Sequence, residues 1–131
     1  MVSDFCSCFC PDETRKLLHK MMRSAFAQTK LLDKKDVLDL LFLKEELEKL
    51  LAAAAILAKD KTNKPLLGKF FRNKPVGEWI EGLDELFHAA LYGGFFINTP
   101  NDEDVYHSCR RLFKIVKTCF FIYEREGNVV V

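Results

Sequence analysis

Three cysteines stand at alternate positions near the start of the chain, Cys6, Cys8 and Cys10, with Phe5 and Phe9 among them. Thiolates gathered this closely can hold a soft metal ion. Structural zinc sites, however, pair a Cys-x2–4-Cys step with a second pair or with histidines downstream. No second pair follows here, and the nearest histidine is His19, so no metal and no cofactor are expected. Cysteines beside aromatics near a terminus also suit S-acylation, which gives a reversible membrane anchor. Cys6, Cys8 and Cys10 are the acylation candidates. The simpler reading has Phe5 and Phe9 covering one end of a bundle, with the thiols as bystanders.

A second group is basic. Lys59, Lys61, Lys64, Lys69, Arg72 and Lys74 fall within one short segment beside a single acid, Asp60, and are interleaved with Leu66, Leu67, Phe70 and Phe71. Lysine and arginine neutralise phosphate, while an aromatic side chain stacks on a base or enters a lipid headgroup layer. Lys61, Lys64, Lys69, Arg72 and Lys74 are therefore the candidate anion- or phosphate-binding residues. The competing reading is a solvated loop whose apolar residues cap the core.

Catalytic patterns are missing. There is no His-Glu-x-x-His, no Gly-x-Ser-x-Gly and no phosphate-binding glycine loop. His19, His88 and His107 fall on three different predicted helices, and His107 and Cys109 are two residues apart, which puts them on different faces of a helix. The expectation is a protein that is not an enzyme.

The chain has 131 residues and a net charge of +1, which suits one domain and provides no global field to recruit nucleic acid or an anionic membrane. Twelve of its aromatic residues are Phe, against one Trp and three Tyr. Phe carries no hydrogen-bonding group, so this bias favours a core or a dry interface. The five cysteines are an odd number with no secretory signal before them, so thiols in a reducing, cytoplasmic compartment are expected, with peripheral membrane association as the variant.

The elements that must position these residues read as helices. Pro11, Asp12 and Glu13 open the first, expected over 12–30, with Leu18, Met21, Met22 and Ala25 as its stripe. Asp33 caps the second, over 34–59, which contains no Gly or Pro. Pro65, Gly68 and Pro75 make 59–75 a connection, with at most a helical turn at 66–71. The third helix, 76–92, places Trp79, Leu83 and Phe87 on one apolar face; Gly93 and Gly94 end it. The fourth spans 102–125. The fold class is all-α, a four-helix bundle-like single domain with a basic/aromatic connection between helices 2 and 3. Residues 1–11 form a flexible Cys/Phe-rich N-terminal tail and 12–131 the helical domain.

Two stretches, Glu45-Glu46-Leu47-Glu48 and Trp79-Ile80-Glu81-Gly82-Leu83-Asp84-Glu85-Leu86, resemble the helical N-terminal domain of plant immune receptors. Where that family has an acidic motif after the Trp helix, this chain has Ala89-Ala90-Leu91-Tyr92-Gly93-Gly94.

Hydrophobic surplus carries the functional expectation. The fourth helix is apolar over most of its circumference, and Phe70, Phe71, Phe95 and Phe96 lie in connections. Apolar patches left exposed mark partner sites. The expected role is a non-enzymatic protein–protein interaction module, an adaptor or subunit, binding a protein partner or a second copy of itself through Phe70, Phe71, Phe95, Phe96, Phe113 and Phe121. The alternative is a peripheral membrane- or nucleic-acid-binding protein that uses segment 59–75, aided by acylation of the cysteine cluster.

Overall fold

The computed structural model describes residues 5, 6, 8–26, 32–72, 74–92 and 102–126. Five helices, and no strand, occur among the described residues: α1 (Pro11–Phe26), α2 (Lys34–Leu57), α3 (Lys64–Phe71), α4 (Val76–Tyr92) and α5 (Asp102–Arg125). The all-α class is therefore correct.

Each start has a local cause. Before α1, the Cys10 sulfur accepts a bond from the Glu13 amide at 3.4 Å, and the Thr14 hydroxyl donates to the Cys10 carbonyl at 2.9 Å. Asp33 closes a capping box at α2: its carboxylate takes the Asp36 amide at 2.8 Å, and the Asp36 carboxylate takes the Asp33 amide at 3.3 Å. Two orphan amides are thus satisfied reciprocally. At α3, Pro65 falls in the first turn, where a missing amide costs nothing. The connection expected over 59–75 thus contains a full helix of eight residues, longer than the turn anticipated at 66–71.

Packing does not follow chain order. α1 lies chiefly along α4 and also meets α5, α2 lies along α4, and α3 bridges α2 and α5. Leu40, Leu43, Leu47, Leu50, Leu51 and Ala54 form the buried stripe of α2. Each such leucine contributes about 1.5–3 kcal/mol when fully removed from water. Trp79, Leu83, Leu86 and Phe87 are the buried large side chains of α4. Polar ties pin the helices together: Lys20 to Asp36 at 2.6 Å joins α1 to α2, and Lys44 to Asp84 at 3.1 Å joins α2 to α4. At the far end, Arg125 donates to buried Asn63 at 2.6 Å, tying α5 to the residue before α3.

Near the N-terminus, Phe5, Cys6 and Phe9 are 1%, 0% and 4% exposed, as the reading in which Phe5 and Phe9 cover one end of the bundle has it. Phe5 stacks on Phe9 at 4.9 Å and reaches Phe120 of α5 at 5.9 Å, so the aromatic rings gain more from the core than from water. On α5 much of the apolar surface finds cover within the chain, while Phe121 stays 54% exposed. Leu112, Ile115, Val116, Cys119, Phe120 and Ile122 are all buried within the chain. The N-terminal turn, α1, α2 and α3 reach α5 from several directions, which a simple four-helix picture does not provide.

Candidate interaction surfaces

Of the residues expected to meet a partner, Phe121 is 54% exposed, while Phe71 and Phe113 are half-buried. Phe70 is 5% exposed and belongs to the core, so it is withdrawn as a contact residue. Its carbonyl accepts the Trp79 indole N–H at 3.1 Å, which holds α3 against α4. Phe95 and Phe96 lie outside the described residues.

Among the described residues, α2 carries a cluster of exposed apolar side chains. Leu38, Leu41 and Phe42 are 57%, 36% and 48% exposed. A helix advances about 100° per residue, so Leu38 and Phe42 stand roughly 200° from Leu40, opposite the buried stripe. Lys35, Asp39 and Glu45 beside them are exposed, which gives an apolar centre with a charged surround. The Phe42 ring leans on Phe9 at 5.4 Å; Phe9 stacks on Phe5, and Phe5 in turn meets Phe120. Phe42 is thus an exposed aromatic with a rigid backing. Sequence reading missed Leu38 and Phe42, although the signal was present: they are apolar positions that fit no single stripe.

The basic residues of 59–75 do not form one patch. Lys61 is exposed in the turn before α3. Lys64 and Arg72 are eight residues apart, on the same side of α3, and border an open groove. Lys69 Nζ lies 5.2 Å from the Phe70 ring. Lys74 turns to Trp79, its Nζ 4.2 Å from the ring, while Arg111 of α5 lies 5.4 Å from the same ring. Burial, and then the Arg111 charge, pull the Lys74 ammonium below its ordinary value. Lys74 is therefore a packing residue beside an indole.

The cysteines also separate. Cys6 is buried and its thiol is pushed up to about 12 by burial and then by Glu124, so it is a poor nucleophile. Cys8 is exposed, and Cys10 is half-buried at the start of α1. Of the three acylation candidates, Cys8 is exposed and Cys10 partly so, while Cys6 is buried and is withdrawn. Cys109 and Cys119 are likewise raised by burial, to about 11 and about 12. Among the described residues, no helix is long and apolar enough to cross a membrane. The chain matches no protein-family model, no curated protein and no solved structure.

Proposed function

We propose that the protein is a non-enzymatic helical interaction module that binds a protein partner through the outer face of α2. The observation that carries this reading is the exposed Leu38–Leu41–Phe42 stripe, backed by the Phe9–Phe5–Phe120 chain of rings. A rigid aromatic anchor at the centre of an apolar patch, with charges around it, is the arrangement that dominates binding energy at protein interfaces. An apolar helix of the partner, or α2 of a second copy, has the matching shape. The test compares wild type with Leu38→Asp/Phe42→Asp by analytical ultracentrifugation and by affinity capture of cellular partners. Leu38 is 57% and Phe42 48% exposed, and Phe42→Ser is run in parallel, with helical circular dichroism required of each variant before binding is compared. Loss of self-association or of a specific captured partner supports the reading. A wild type that is monomeric at high micromolar concentration, with a capture profile identical to the variant's, overturns it.

A second reading keeps segment 59–75 as a site for anionic surfaces. Lys64 and Arg72 facing a common groove favour it. Salt-sensitive binding to anionic liposomes or RNA is its signature.

A further inference from the structure

The outward side of α5 carries one sign of charge. No acid occurs between residues 105 and 123, whereas His107, Arg110, Arg111, Lys114 and Lys117 all fall there and are exposed. A helix turns about 100° per residue, so Arg110, Lys114, Lys117 and Phe121 fall within roughly 60° of one another. Phe121 stands at the C-terminal end of this row and is 54% exposed. Behind the row, Leu112, Val116 and Cys119 bury the inward side of the helix.

The acids that could answer this row are on α4, where Glu78, Glu81 and Glu85 are exposed. However, α4 packs along α1 and α2 and not along α5. Where α4 and α5 do touch, at Trp79, two cations are held side by side: Arg111 lies 5.4 Å and Lys74 Nζ 4.2 Å from the same ring. Glu78 offsets part of their repulsion. A bound anion at this end of the row relieves more of it.

The exposed ring narrows the choice of polyanion. A helix lying in a bilayer surface buries its apolar face in the lipid, and that face of α5 is already in the core. An acidic protein segment answers the cations but leaves Phe121 without a role. A single strand of nucleic acid answers both, with phosphates along a row of cations and a base on an aromatic side chain in line with it.

We propose that the outer face of α5 binds single-stranded nucleic acid, with backbone phosphates along Arg111, Lys114 and Lys117 and a base stacked on Phe121. The site is separate from the partner face of α2 and from the groove beside Lys64 and Arg72.

The test is fluorescence anisotropy with labelled oligo(dT) and oligo(U) of about a dozen nucleotides. Saturable binding of either is expected, with log affinity falling against log salt at a slope of about 2 for three phosphates. Lys114→Gln/Lys117→Gln should weaken binding at least tenfold and reduce the slope to about 0.7. Phe121→Ala should weaken it at least fivefold and leave the slope unchanged, because stacking releases no counterions. Each position is exposed, and retained circular dichroism is required of each variant. Lys64→Gln/Arg72→Gln and Phe42→Ser should bind like wild type, which keeps this result apart from the other two readings. No saturable binding at low salt, or wild-type affinity in Phe121→Ala, would overturn the proposal. So would displacement of the strand by polyglutamate as effective as by unlabelled oligo(dT), or uptake onto phosphatidylglycerol vesicles without saturable oligonucleotide binding.

Discussion

Trp79 shows how much one side chain can carry. It is buried, donates to the Phe70 carbonyl at 3.1 Å, and has both Lys74 and Arg111 beside its ring. Trp79→Phe keeps a ring but loses the donor and weakens both cation contacts, so unfolding in urea should show a loss of about 1–2 kcal/mol. The thiols give a second residue-scale expectation. Burial raises Cys6 and Cys119 to about 12 and Cys109 to about 11, from the ordinary 9.0. The unfolded chain releases these protons first, so their contribution is intact below pH 9.0 and is lost as pH rises towards 11–12. Denaturation midpoints should fall across that window, and more shallowly in Cys119→Ala. With iodoacetamide at neutral pH, mass spectrometry should find Cys8 labelled well before Cys6 and Cys119.

At the scale of the element, α2 and α5 behave differently from their sequences read alone. The start of α2 is legible: Asp33 caps, and Asp36 completes the box. Asp33→Ala should therefore cost about 1 kcal/mol in chemical denaturation. The Asp36 carboxyl is held below its ordinary value, first by the Lys20 ammonium and then by the Asp33 amide. That contribution is present above the usual carboxylate value of 3.8 and is lost as pH falls below it. In α5, neighbouring phenylalanines have opposite fates, Phe120 at 3% exposure and Phe121 at 54%. Phe120→Asp buries a charge and should unfold the domain, whereas Phe121→Asp should leave melting and circular dichroism close to wild type. On α4, Phe87 is 5% exposed, so Phe87→Ala should cost about 3–5 kcal/mol.

Across the whole molecule, the surplus of phenylalanine is resolved by where helices meet. Phe5, Phe9 and Phe120 form a buried chain of rings that ends at exposed Phe42, so packing between the N-terminal turn and α5 supports a surface on α2. The sequence by itself determined the all-α class, the bounds of α2, α4 and α5 to within a few residues, and the core role of Trp79, Leu83 and Phe87. Those follow from periodicity, capping residues and helix breakers, which act over one or two turns of chain. Only the tertiary structure decided that α3 buries Phe70 and that, on α5, Phe120 is buried while Phe121 is exposed. It also decided that Leu38, Phe42 and Ile56 face outward and that Lys59, Lys64 and Arg72 share one groove. A side chain on an apolar helix is buried or exposed according to which distant elements reach it, and local pattern carries no record of that.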